Sequence, residues 1–183
     1  ANIPGTKIYM LLGHVKCPGL FEAPFGLTLR QIIDEFGGGM HYGSNFHFAL
    51  TGGAAGTIVS EKFLDIPIDY ASASKGISLG AGAFLICDQR VSPVEFLRNL
   101  SNFFKHESCG KCTPCRVGTH RVYEILDGMV HKQGNPGDVD ELRRLAEVMF
   151  DSSFCGLGQS VPIPMRSALG NFAEAFAAAE NRE

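Results

Sequence analysis

The sequence predicts an α+β chain in two parts: a strand-rich first half crossed by one short helix, then an all-helical half built around a metal centre. Three observations lead there. Short apolar runs bounded by glycine and proline fill residues 7–88, and from Ser92 onward the apolar spacing changes to threes and fours. Within the second half stands Cys109-Gly110-Lys111-Cys112-Thr113-Pro114-Cys115, answered by Cys155 after 39 intervening residues.

Residues 1–6 are a lead-in containing Pro4-Gly5. Lys7–Gly13 reads as a strand and Gly19–Ala23 as its hairpin partner, because Lys16-Cys17-Pro18-Gly19 between them is turn chemistry. Thr28-Leu29-Arg30-Gln31 has the form of a capping box opening a short helix that Gly37-Gly38-Gly39 ends, with Leu29, Ile32, Ile33 and Phe36 on one face. Strands are expected around Asn45–Leu50, Thr57–Val59 and Ala83–Asp88. A hairpin, one helix across it and further strands is the order of a ubiquitin-like β-grasp domain, here over residues 1–90. The glycine clusters at 52–56 and 80–82 complete neither a dinucleotide fingerprint nor a Walker pattern, so turn formation accounts for them. Cys17 falls in a turn with nothing to pair with, and Cys87 reads as a small buried hydrophobe.

Residues 91–183 are predicted to form a four-helix bundle. Ser92-Pro93-Val94-Glu95 supplies an N-cap, a first-position proline and an acidic third position, ahead of a stripe of Phe96, Leu97, Leu100, Phe103 and Phe104. Thr113-Pro114 starts the second helix, with Val117, Val122, Ile125, Leu126 and Met129 on its buried side. Asp138 and Glu141 cap the third, which buries Leu142, Leu145, Ala146 and Met149. The fourth opens near Pro164 and carries Met165, Leu169, Phe172 and Phe176.

Three thiolates at successive spacings of three, with a fourth returned by the chain, repel one another unless a metal centre neutralises them. Structural zinc usually takes two separated pairs, whereas three plus one matches the binding of [4Fe–4S] clusters. A thioredoxin-like pair at Cys109 and Cys112 is a further reading, though it leaves Cys115 and Cys155 unemployed. Cys115 is expected in the first turn of its helix, where free N–H groups and the positive dipole end favour negative sulfur. Gly110, Gly156 and Gly158 allow backbone N–H groups close to sulfur, and Lys111 and Arg116 add positive charge. His106 reads as a neighbour, the remaining histidines forming no pair at metal-ligand spacing.

These residues also carry a family resemblance. Glu107-Ser108-Cys109-Gly110-Lys111-Cys112-Thr113-Pro114-Cys115-Arg116-Val117-Gly118, followed by Phe154-Cys155-Gly156-Leu157-Gly158-Gln159, resembles the cluster-binding region of the NADH- and flavin-binding subunits of respiratory complex I, NAD-dependent formate dehydrogenases and NAD(P)-linked hydrogenases. Gly13-His14-Val15 with Pro18-Gly19 and Phe21-Glu22 is similar to the soluble-ligand-binding β-grasp module of the same subunits. The Gly-Leu-Gly-Gln after Cys155 is nearer the formate dehydrogenase and hydrogenase members than complex I. The resemblance covers essentially the whole chain but only the C-terminal part of the family subunit. It implies Cys109, Cys112, Cys115 and Cys155 as ligands of a [4Fe–4S] cluster, with FMN and NAD(H) bound only in the complete subunit. It implies electron transfer within an NADH-oxidising or NAD-reducing oxidoreductase, no turnover of NADH by this chain alone, and partners such as a thioredoxin-like 2Fe–2S subunit and a larger iron–sulfur subunit. The rival readings are a zinc-stabilised interaction module and a thiol–disulfide redox protein.

Composition agrees with a redox module. An apolar fraction of 45% over 183 residues is enough for a core. The net charge of −3, from 16 basic and 19 acidic residues evenly scattered, offers no basic patch for nucleic acid. No apolar run reaches membrane-spanning length and no secretory leader precedes the strands, so direct membrane insertion is not expected. Six cysteines with four in a metal-like set suit a reducing compartment, the cytoplasm or an organelle matrix. Beginning on Ala1, the sequence reads as a processed, trimmed or partly recorded chain.

Overall fold

A computed structural model describes residues 4–180, so the first part of the expected lead-in lies outside the described residues. The fold is mixed α/β, and the chain divides into two compact units, Ala1–Val91 and Ser92–Glu183.

The first unit is a five-stranded sheet in the order β2-β1-β5-β3-β4. Its strands are β1 (Thr6–Gly13), β2 (Gly19–Pro24), β3 (Phe46–Thr51), β4 (Thr57–Ser60) and β5 (Ala83–Asp88). β1 pairs antiparallel with β2 and parallel with β5, while β3 runs antiparallel to both β5 and β4. The Thr28 capping box is formed in full: its side chain accepts from the Gln31 N–H, and the Gln31 side chain accepts from the Thr28 N–H. The helix it opens is unusual. Only Leu29–Gln31 (α1) is α-helical, and Ile32–Phe36 widens into a π turn. The widening still sets Leu29, Ile32 and Ile33 against Tyr9, Leu11, Ala23, Phe84 and Ile86 in the core. One face of β1 supplies Tyr9 and Leu11 to that core; the other leaves Ile8, Met10 and Leu12 exposed. The sequence carries no sign of this alternation, because the whole run is apolar.

The second unit holds α2 (Pro93–Glu107), α3 (Thr113–Val130), α4 (Asp138–Ser152), α5 (Gly156–Ser160), α6 (Pro162–Asn171) and α7 (Ala173–Glu180). The expected fourth helix is thus two segments, α6 and α7, and the short α5 precedes it unannounced. Pro162 and Pro164 stand in the first turn of α6, and the α6 cap Phe172 leaves helical geometry at φ −131°. The stripe of α2 is narrower than expected: Val94, Leu97, Ser101 and Phe104 are buried, whereas Phe103 is exposed. In α3 the expected burial of Val117 is also corrected, for Val117 faces solvent and Gly118 and Thr119 lie inside. The reason is steric, since a Cβ on Gly118 would stand 2.6 Å from the Met149 sulfur of α4. That approach turns a small residue inward and the valine beside it outward.

The cap of α4 differs as well. Its N-cap is Gly137, at φ +96°, and Asp138 is already in the first turn. A carboxylate oxygen of Glu180, at the end of α7, accepts from the N–H groups of Gly137 (2.6 Å) and Val139 (3.1 Å). A helix N-terminus is therefore capped by a side chain about forty residues away, satisfying donors that the local sequence leaves open.

Candidate metal centre

The three-cysteine segment is the link from α2 to α3. Ser108 ends α2 in an extended conformation, and Cys109 follows, exposed. Gly110 turns the chain at φ +73°, a conformation open to glycine at little cost. Arg116 Nη1 donates to the Gly110 carbonyl at 2.6 Å and to the Lys111 carbonyl at 3.5 Å, so the guanidinium of α3 clasps the loop before it. Cys112 is the buried N-cap of α3, and Cys115 lies buried in its first turn, as the Thr113-Pro114 start requires. Cys155, exposed, is the N-cap of α5. Gly158 of α5 lies against α3 and the end of α4. A Cβ there would come within 2.4 Å of Ser153 Oγ and 3.1 Å of the Cys115 Cβ.

The sulfurs are in one another's fields. Burial pushes the Cys115 thiol up, the charges of Cys112, Cys155 and Cys109 push it the same way, and the Ser108 hydroxyl opposes them. Cys112 shifts in the other direction. The backbone N–H of Phe154 is the largest cause holding its thiol below the ordinary range, with the N–H groups of Cys115 and of Cys112 itself acting alongside, against burial. Ser108 Oγ lies 3.3 Å from Cys115 Sγ and accepts from the Gly110 N–H. Among the described residues, no three His, Cys, Asp or Glu close into a group that could hold a single ion. Without a countercharge between them, thiolates repel.

Cys17 and Cys87 are elsewhere, in the first unit: Cys17 exposed in the turn before β2, Cys87 buried in β5. His106 and His120 are exposed on α2 and α3. Reasoning from the sequence missed two serines. Ser108 touches a thiol, and Ser153 is buried with its hydroxyl unpartnered among the described residues. An S-C in the motif and an S-F-C before Cys155 were the only signals. Thiols that influence Cys115 from both parts of the motif, with a buried idle hydroxyl beside that residue, fit an iron–sulfur group.

The thiol-rich helical unit is the part of the chain that an iron–sulfur family matches. Residues 95–179 match the NADH-ubiquinone oxidoreductase-F iron-sulfur binding region. The chain is 40% identical over 180 residues to the NADP-reducing hydrogenase subunit HndC of Solidesulfovibrio fructosivorans, covering 97% of this chain and 36% of the relative. Against the F subunit of the NADH-quinone oxidoreductase of Escherichia coli it is 38% identical over 176 residues, covering 95% of this chain and 40% of the relative. The crystal structure of an NAD+-reducing [NiFe]-hydrogenase in the H2-reduced state superposes with a TM-score of 0.87 at 27% identity, covering 98% of this chain and 30% of that one. The chain thus spans well under half the length of these relatives.

Proposed function

We propose that the chain is the electron-transfer portion of an NADH-oxidising or NAD-reducing subunit, with Cys109, Cys112, Cys115 and Cys155 as the ligands of a [4Fe–4S] cluster. The placing of Cys112 and Cys115 at the start of α3 and of Cys155 at the start of α5, with Gly158 packed against Cys115, supports this reading. When bound, the cluster supplies one-electron transfer, which hydride donation by NADH does not, so an FMN belongs between them in the complete subunit. The chain's own residues hold and tune that centre. Cys115 lies in the first turn of the 18-residue α3, whose dipole favours negative sulfur. The Phe154 N–H favours the Cys112 thiolate, and Arg116 fixes the loop carbonyls while adding positive charge. Residues 1–90 are assigned as a β-grasp domain and residues 91–183 as the cluster-bearing four-helix bundle, the last helix broken into α6 and α7.

The proposed partners are a thioredoxin-like 2Fe–2S subunit and a larger iron–sulfur subunit, in the cytoplasm or an organelle matrix. Among the described residues no helix is long and apolar enough to cross a membrane. Anaerobic purification tests the proposal. The expected product is brown, carries about four iron and four acid-labile sulfide per chain, and gives a one-electron EPR signal on reduction. One zinc and no sulfide would replace the reading with a structural zinc module. A metal-free chain with a rapidly alkylated thiol would replace it with a thiol–disulfide protein.

A further inference from the structure

We propose that Ser108 and Ser153 are positioning residues for the cluster, two hydroxyls that bracket Cys115 and donate hydrogen bonds to its sulfur and to the centre it holds, raising the reduction potential. The proposal rests on the [4Fe–4S] reading given above.

The direction of the Ser108 bond follows from its two partners. Ser108 Oγ accepts the Gly110 N–H at 3.3 Å, which occupies a lone pair and leaves its own proton to be placed. Cys115 Sγ lies 3.3 Å away. A ligating cysteine is a thiolate with no proton to offer, so the bond runs from oxygen to sulfur. Ser108 thus relays the hydrogen bond of a glycine amide onto a ligand sulfur.

Ser153 is the stronger clue because it is unfinished. The residue is buried, and its Oγ has no partner among the described residues. Its main chain is nonetheless held at both ends: the N–H donates to the Met149 carbonyl at 3.2 Å, and Gln159 Nε2 donates to the Ser153 carbonyl at 2.9 Å. The main chain that carries the hydroxyl is therefore held, and the hydroxyl has nothing to bond. It flanks the same glycine as Cys115, since a Cβ on Gly158 would meet both Ser153 Oγ and the Cys115 Cβ. Burying an unpaired hydroxyl is costly, and alanine fits the same space. Cluster sulfur is the acceptor that completes it.

Reduction adds negative charge to the centre, and hydrogen-bond donors favour the more negative form. Removing a donor therefore lowers the midpoint potential without removing a ligand. The test uses the full chain with its cluster, in Ser108→Ala, Ser153→Ala, the double variant and Ser108→Thr. Iron and sulfide are assayed first, then the potential is read by EPR-monitored titration. The expected result is full iron throughout, a more negative potential in each alanine variant, a larger shift in the double, and the wild-type value in Ser108→Thr. Pulsed EPR on protein exchanged into deuterium oxide should show one fewer deuterium coupling with each hydroxyl removed. Two alanine sites are used so that failure of one variant to fold leaves the other to decide. Unshifted potentials at full iron content would overturn the serine proposal alone. A wild-type chain without iron and sulfide would overturn the cluster reading, and this proposal with it.

Discussion

The backbone N–H of Phe154 is the largest influence holding the Cys112 thiol below its ordinary range. The two parts of the motif are thereby joined by main chain, with the segment before Cys155 already lying on the three-cysteine loop. The Phe154 ring plays no part in this contact and is 85% exposed. Phe154→Ala keeps the N–H and should change thermal stability by no more than about 0.5 kcal/mol. Iron content and visible spectrum should match wild type; loss of iron would assign the ring a role at the centre.

The four proposed ligands separate cleanly from the two other cysteines. Cys155→Ser should cost the intact cluster, leaving a three-iron form or apo-protein, and should loosen the end of the helical unit, since metal-binding free energy is partly folding free energy. Cys17→Ser should keep full iron, as should Cys87→Ala, which trims one buried sulfur for about 1 kcal/mol. An iron assay and thermal melt on the three variants suffice. A normal cluster in Cys155→Ser beside a lost one in either control would refute the ligand set.

Gly158 tests the packing beneath the site. Alanine is the better helix former by about 1 kcal/mol. Against that, its Cβ would press on Ser153 Oγ at 2.4 Å, Ser153 Cβ at 2.6 Å and Cys115 Cβ at 3.1 Å. Overpacking of this kind costs about 1–3 kcal/mol, and here it presses on a proposed ligand residue as well. Gly158→Ala should therefore melt lower and hold less iron, while Gly156→Ala, whose Cβ would meet nothing within 4 Å, should do neither.

What the sequence showed, and what it hid, divides by range. Thr28, Ser92 and Thr113-Pro114 announce helix starts through neighbours one to three residues away, and the structure forms each of those starts. The spacing of the three clustered cysteines is equally local. The inward turn of Gly118 depends on Met149 and the capping of α4 on Glu180, neither of which is near in sequence. The helix α5 was unread because Gly156-Leu157-Gly158 has poor intrinsic helicity. Ser153 could not be singled out, because an idle hydroxyl is known only from what surrounds it.

Activity gives a further check. The glycine-rich stretches that could cradle phosphate are turns: Gly52, Gly53, Gly80 and Gly82 all adopt positive φ. The chain should bind neither FMN nor NADH tightly and should not reduce dyes with NADH, although chemically reduced protein should pass electrons to an acceptor. Micromolar FMN binding by fluorescence titration would show that the flavin site is misplaced.

The last prediction concerns a buried carboxylate in the first unit. Asp88, at the end of β5, is fully buried; it accepts from Arg90 Nη2 at 2.6 Å and Ser44 Oγ at 2.8 Å, and His14 Nδ1 lies 3.5 Å from its other oxygen. The Arg90 guanidinium is the largest cause holding the carboxyl far below the usual range; Ser44, the Arg90 N–H and His14 add to it, and burial opposes it. A carboxyl whose folded pKa is depressed stabilises the fold fully above its unfolded value of about 4, and that stability is lost as pH falls through the folded value. The contribution is thus present at pH 7 and fades only below about pH 5. Asp88→Asn should cost about 1–2 kcal/mol at pH 7, the lower part of the range for charged hydrogen bonds, because the Arg90 side chain is 66% exposed and solvent screens it. The gap between wild type and variant should then narrow as the pH is lowered from 5 toward 3. Hydrogen exchange of the Ile86 and Cys87 amides in β5 reads this within the first unit, apart from any acid lability of the metal centre. Equal narrowing in an Arg30→Gln control would point to a general loss of surface pairs, and a constant gap at every pH would mean that the Asp88 carboxylate is not the group that titrates.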